Sequence, residues 1–394
     1  MRLFIEPTEP LLFRTGRPFD AGEANFAESI FPPTPETWQG AIRAAIAANF
    51  DTNKTLAEVF QHGTLEAYIG NRSDYGSFRI TGVTLGRRKK NGTANMELER
   101  LFPMPSHLLQ EKEEKEGAKL QTWLVPEQRK GVHTDLPYDG MYLLYTDKET
   151  KKKLEPMKGW LTEQGLVKVL HHHEMPSKED IVQNNVIFET ESRMGIGMTA
   201  TGSKTTEDGL LYQVQMVRMN PQYNDDYLYS FVVDIHFAQV PGDVTSGSVT
   251  YADDTDMQNK LNLPDQGWLT LGGERRAAKF QIIKDVLPSE RLEQKRRGRL
   301  LYLATPAALN SGWQPKEWKE PSAIPITAAI NRYQSIGGWL LKPGTSGGEG
   351  KPIRRCVPAG SVYFFEQEVD IPSIFTDYGR KIGYGISYAG EWKI

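Results

Sequence analysis

The chain has 394 residues, enough for roughly two or three domains with sizeable cores. Its 47 Lys plus Arg against 50 Asp plus Glu give a formal net charge of −3, which excludes an indiscriminately basic nucleic-acid binder and confines any RNA or DNA contact to a local patch. A single cysteine, Cys356, excludes an internal disulfide, and no run reaches the ~18 apolar residues of a membrane span, so the expected setting is a soluble protein of the reducing cytoplasm with no membrane contact.

Residues 1–5 predict a strand, interrupted by Pro7 and Pro10 and resumed over 11–13. The loop that follows sets Arg14 and Arg17 on either side of Gly16, which reads either as a bend offering two guanidinium forks to phosphate or as a solvated turn. FPPTPETWQGAIR, over 31–43, predicts a helix start: prolines are barred from helix interiors, Thr34 suits the cap and Pro35 the first helical position. Trp38, Ala41, Ile42, Ala45 and Ile46 recur at helical spacing on a core face, while Gln39 and Arg43, four apart, share another that can meet a ligand. Gly40 costs about 1 kcal/mol relative to Ala in a helix, which implies something backbone-like passing close. An anion would suit the positive helix start.

A second short helix is expected over 51–60, then a strand, turn and strand over 77–109 whose tip, Arg87 to Gly92, reads as a solvated basic turn. The charged runs at 111–119 and 151–153 read as exposed surface without chemistry. His171, His172 and His173 raise a metal site, but adjacent residues point in different directions and no HExxH or cysteine ligand accompanies them. A polar loop after a helix over 161–170 is expected instead, with no metal and no cofactor.

From 186 the pattern is a long hairpin, with Tyr212, Val214 and Met216 alternating against Gln213 and Gln215 beyond a Gly/Thr/Ser-rich tip. Residues 221–227 read as a linker dividing an N-terminal domain, 1–225, from a C-terminal domain, 226–394, which opens on the strand YLYSFVVDIHF. In LTLGGERRAAKF, Gly272 and Gly273 let backbone approach a ligand, and Glu274 can orient Arg275 and Arg276, with Lys279 following. Between 271 and 299 nine Lys or Arg face four acidic residues, an excess that would attract a polyanion, although the KRRGR part also reads as a solvated helix face. Strands are expected at 299–304 and 361–366, and the chain closes on RKIGYGISYAGEWKI. There Gly383, Gly385 and Gly390 read equally as packing points or as a loop embracing a backbone.

Taken together, LLFRTGRPF, FPPTPETWQGAIR, ESRMGIG followed by GLLY, LGGERR, SIGGWLL, PAGSVYFF and GYGISYAG resemble the RAMP superfamily of CRISPR proteins, and within it the third-subunit family of the type III-B effector, the Cmr complex. The resemblance implies an α+β fold of two ferredoxin-like (RRM-like) halves with long inserted loops and a thumb-like β-hairpin, here 193–210. It implies a non-catalytic role: holding the 5′ tag of the guide RNA (crRNA) and joining the large polymerase-like Cmr subunit to the backbone RAMP subunits. By position, Gln39 and Arg43 fall where RAMP first helices meet guide phosphates, Arg193 falls on the thumb-like hairpin, and Gly272 to Arg276 and the terminal glycines match the family's glycine-rich segments. Splayed bases would stack on aromatics such as Trp339 or Tyr384. Two rivals stand beside this reading. Some RAMP relatives cleave guide precursors without metal, using His or Tyr near a glycine-rich loop, and His236 lies just upstream of one. The other rival is an adaptor that touches no RNA.

Overall fold

The computed structural model describes residues 1–14, 26–51, 53, 58, 65–71, 74–90, 98–112, 120–128, 142–148, 150–196, 211–221, 226–239, 250–283, 292–315, 324–341 and 348–393. Arg17, nearly all of the expected helix over 51–60, the tip at Asn91 and Gly92, the hairpin tip at 197–210 and most of the linker lie outside these residues. The fold is mixed α/β with strands predominating.

An eight-stranded sheet carries the architecture, in the order Ile181–Val182, Trp160–Thr162, Glu99–Pro103, Phe78–Lys89, Tyr227–Phe237, Arg2–Pro7, Arg276–Ile283, Gln266–Leu271. The first strand continues through Pro7 and is central, antiparallel to both neighbours, with Leu3 opposite Val233 and Phe4 opposite Gln281. Strand residues alternate between faces, so Leu3, Ile5, Phe231, Val233, Ile235, Leu269 and Phe280 share one face of the sheet. Helix Pro35–Phe50 lies on that face and packs Trp38, Ile42 and Ile46 into it. Trp38 is fully buried, and its ring is among the largest side chains in this core. On the other face Arg88 lies 4.6 Å over the Phe4 ring and pairs with Glu6, and Arg2 pairs with Asp234 at 2.6 Å. Arg87 and Arg88 therefore belong to the sheet, half-buried and ion-paired, rather than to a solvated turn.

The sequence boundary at 225/226 falls between two strands of this one sheet, because Tyr227–Phe237 pairs with both Arg2–Pro7 and Phe78–Lys89. A second sheet orders Thr327–Ala329, Val362–Asp370, Arg297–Leu303 and Ser387–Gly390. It is buried on both faces: Leu300, Tyr302 and Phe364 meet Phe102, Leu166 and Leu170, while Leu301, Leu303, Tyr363 and Phe365 meet Phe375. Buried Arg100 ties the two sheets together, donating to Glu163 at 2.7 Å and Glu293 at 2.9 Å. A four-stranded sheet of Leu143–Thr146, Gln121–Glu127, Leu108–Glu111 and Leu154–Pro156 forms a side module.

The expected long hairpin is present as Phe188–Ile196 paired with Leu211–Met219, and Phe26–Ala27 joins it in parallel. The histidine run differs from its expectation. Helix Glu163–Val167 passes into a π-turn over Lys168–His172, so two of the three histidines are in the turn itself, and His173 stacks on Trp123 with ring centroids 4.4 Å apart. Within the segment expected as a helix face over 289–297, the described residues form a turn leading into strand Arg297–Leu303. Among the described residues no helix is long and apolar enough to cross a membrane.

Candidate nucleic-acid interface

The first helix presents Glu36, Gln39, Gly40 and Arg43 away from the sheet, the spacing expected for one face. Thr34 occupies the cap position with extended backbone, but its hydroxyl faces Thr37 Oγ1 at 3.3 Å instead of accepting from a helix amide. Glu36 is held on three sides. The Tyr378 hydroxyl donates to it, Lys351 Nζ lies at 3.2 Å, and a Cβ on Gly338 would stand 3.1 Å from its Oε2. Arg354 then lies 3.9 Å over the Tyr378 ring. These contacts bring the helix start, the hairpin of Gln334–Ile336 with Arg354–Cys356, and the C-terminal segment together at one surface.

Arg43 is used within the chain: its guanidinium donates to Gly70 O at 2.8 Å and Asn71 O at 3.4 Å, and burial lowers its pKa. Gln39 is half-buried one turn earlier. Gly40 is exposed, and a Cβ there would find nothing within 4 Å among the described residues, so none of them accounts for the glycine.

The glycine-rich segments are approached by the chain's own backbone. Gly272, at φ 73°, would place a Cβ 2.5 Å from Leu12 O, and the neighbouring Gly273 amide donates to that same carbonyl at 2.7 Å. Gly385, at φ 66°, stands as close to Phe375 O, 2.4 Å from its would-be Cβ. Gly383 packs on Ile80 and Val83 of the central sheet. Near Gly272, Arg276 pairs with Glu9 and Glu274, Arg275 is exposed, and Lys279 lies 5.2 Å over the exposed Trp268 ring. Arg193, on the hairpin, donates to Glu191 at 2.7 Å, and Arg14 bridges to the Ser29 backbone. Trp339 lies in a short strand paired with Gly348–Gly350. Tyr384 is buried and so is not an exposed stacking platform. Nine of these twelve candidates form two groups, and Arg14, Arg193 and Trp339 stand outside them. Gln39, Arg43, Gly383 and Gly385 gather around the first helix and the C-terminal segment, while Gly272, Gly273, Arg275, Arg276 and Lys279 gather at the sheet edge.

One cluster escaped the sequence reading. Tyr333 is 48% exposed, Arg355 lies 5.2 Å over its ring, and exposed Arg332 precedes it. NRYQS and PIRRC are separated by the SIGGWLL stretch, so only the register that sets Ser335 opposite Arg355 brings them together. The usable signal is the arginine next to tyrosine in one segment and the arginine pair in the other.

Burial and the Glu36 contact push the Tyr378 phenol up, burial does the same to Tyr384, and Cys356 is pushed up to about 12 by burial, so all three stay protonated at neutral pH. His236 packs against the Tyr251 ring, tilted, at 4.8 Å with Asp254 at 3.5 Å, and burial lowers its pKa.

The sequence matches the family described as CRISPR-associated protein (Cas_Cmr3) over residues 3–392, nearly the whole chain. The chain belongs to the Cas_Cmr3 family. Membership places it among the subunits of type III-B CRISPR effectors, in a family whose role in the Cmr complex is structural and non-catalytic. Two solved structures are similar in outline. One, from a type III-B Cmr-beta complex bound to cognate target RNA, is 15% identical with a TM-score of 0.46, covering 92% of this chain and 86% of that one. The other, from the same kind of complex bound to cognate target RNA and AMPPnP, is 13% identical with a TM-score of 0.43 and the same coverage. No curated protein matches the sequence.

Proposed function

We propose that this Cas_Cmr3 protein holds the 5′ tag of the guide RNA within its effector and bridges the large polymerase-like subunit to the backbone RAMP subunits in the cytoplasm, without catalysis of its own. The observation that carries the reading is the Tyr333–Arg355 platform, flanked by Arg332 and Arg354 and linked through Lys351 and Glu36 to the exposed Gly40 face of the first helix. Single-stranded RNA is held by cations along its backbone and by aromatic faces under its bases, and base stacking contributes about 1–3 kcal/mol per base. A local patch suffices in a chain of net charge −3, because partner proteins supply the effective concentration.

For the fold, we read Arg276–Ile283, Arg2–Pro7, Tyr227–Phe237 and Phe78–Lys89 as one ferredoxin-like half with the 90–226 segment inserted, and the sheet beyond 292 as the other half. Their antiparallel order, with one helix after the first strand and another before the last, supports this. The protonated phenols beside the terminal glycines support the non-catalytic reading. Precursor-RNA cleavage by the purified chain in EDTA would overturn it.

The test is to assemble the effector with Tyr333→Ala or Arg355→Glu and sequence the RNA that co-purifies. Guide retention should fall about tenfold or more per lost stacked base. Wild-type retention of guides sharing one constant 5′ end, in both folded variants, would refute the site.

A further inference from the structure

The eight-stranded sheet ends on Gln266–Leu271. In an antiparallel ladder, facing residues alternate between pairs that exchange hydrogen bonds and pairs that do not. Ile282 N donates to Asp265 O at 2.7 Å, which assigns Gly267–Phe280, Leu269–Ala278 and Leu271–Arg276 to the bonded class. On the far side of the same strand, Thr8 N donates to Ala277 O, so Ala277, Lys279 and Gln281 bond to the first strand, in agreement. Gln266, Trp268 and Thr270 therefore turn their N–H and C=O groups outward, where no strand among the described residues pairs with them.

Edges of this kind are normally blunted by proline, charge, a bulge or brevity. QGWLTL has no proline and no charged side chain, and its register with the neighbouring strand is continuous over six residues. Leu269 and Leu271 are buried in the core beneath helix Pro35–Phe50, which fixes the strand, while Gln266, Trp268 and Thr270 are exposed, Trp268 at 57%. The result is an edge whose outward donors and acceptors meet no strand among the described residues.

We propose that this edge is a strand-addition site for an extended segment of a neighbouring polypeptide in the assembly. The dimensions choose that occupant. Six residues span about 20 Å, and with side chains on both faces the edge is about 10 Å deep, on the order of 200 Å² per partner. A free-standing interface needs about 800 Å² per partner. A second copy meeting this edge alone would not stay, whereas a segment belonging to a partner held elsewhere would. Lys279 over Trp268 selects against a basic residue facing the indole, and the added strand supplies an apolar or β-branched side chain there. The inference rests on the assembly role proposed above and not on the RNA site.

The test is hydrogen exchange resolved to single amides, in the isolated chain and in the assembled effector. The amides of Gly267, Leu269 and Leu271 should be slow in both. Those of Gln266, Trp268 and Thr270 should be fast in the isolated chain and slowed at least a hundredfold on assembly. Unchanged outward amides on assembly overturn the proposal. So does slowing in the isolated chain that grows with concentration, which would mean a second copy, or slowing by guide RNA alone. Thr270→Pro removes one outward donor without touching the inner ladder, and Thr270→Lys adds a charge without altering the backbone. Either variant, folded, should enter the effector at least tenfold less well at limiting concentration, and wild-type incorporation of a folded variant overturns the proposal. Arg355→Glu should lose guide RNA while keeping the edge protected, which separates a failure here from a failure of the RNA reading.

Discussion

His107 makes the stability of this chain depend on pH in a way that can be worked through. Its ring is buried, 5.3 Å from the Trp123 ring and edge-on to Phe364 at 5.9 Å, and its Nδ1 has no hydrogen-bond partner among the described residues. Burial, with His173 stacked on Trp123 adding to it, takes the pKa from 6.5 to about 3. The folded chain keeps this imidazole neutral, whereas in the unfolded chain it takes up a proton below about pH 6.5. The unfolded state thus binds the extra proton, and stability falls as pH falls, by about 1.4 kcal/mol per unit between 6.5 and 3. Going from pH 7 to pH 5 removes about 2 kcal/mol through this one group. His107→Leu deletes the titration and leaves all other ionisable groups in place. Urea unfolding of both proteins at pH 7 and pH 5, followed by circular dichroism, should show the wild type losing about 2 kcal/mol more than the variant. Parallel losses would refute the assignment of a neutral, buried His107.

Three further substitutions probe the interface. Gly40→Ala should raise stability by about 1 kcal/mol in chemical denaturation, because none of the described residues stands within 4 Å of the new methyl; a loss would show that the glycine serves the fold. Gly385→Ala should lower stability by about 2 kcal/mol or more, since it combines a left-handed φ with a carbonyl 2.4 Å from the added carbon; unchanged unfolding would refute that contact. Arg43→Ala should cost about 1–2 kcal/mol by leaving the Gly70 and Asn71 carbonyls without their donor. If it instead lowers guide retention at unchanged stability, Arg43 serves RNA and not the fold.

What the sequence discloses divides by range. Helix Pro35–Phe50 is legible because its signals are local: prolines before it, and Trp38, Ala41, Ile42, Ala45 and Ile46 at helical spacing, all buried as that spacing requires. The strands Phe78–Lys89 and Tyr227–Phe237 and the long hairpin are legible for the same reason. Pairing between distant strands is not local, and alternation alone does not say that Arg2–Pro7 lies between Tyr227–Phe237 and Arg276–Ile283. The glycines mislead in a related way. A glycine reports that something comes close without saying what, and at Gly272 and Gly385 it is a carbonyl of the same chain, whereas at Gly40 it is nothing among the described residues. Arg87 and Arg88 look like a solvated tip because Glu99 and Glu6, which pair with them, lie on other strands. The Tyr333–Arg355 platform is invisible for want of the register that makes it.

The central position of the first strand sets a timetable for synthesis. The Ile5 carbonyl accepts from the Ser230 hydroxyl, 225 residues further along, so the strand leaves the ribosome long before either neighbour exists. At about 5–20 residues per second it waits roughly 10–45 s for the first of them. Throughout that interval Leu3, Phe4 and Ile5 belong to a strand with two open edges and no helix-covered core to enter. The sheet therefore closes around this strand only after the strand that ends at Ile283 has been made.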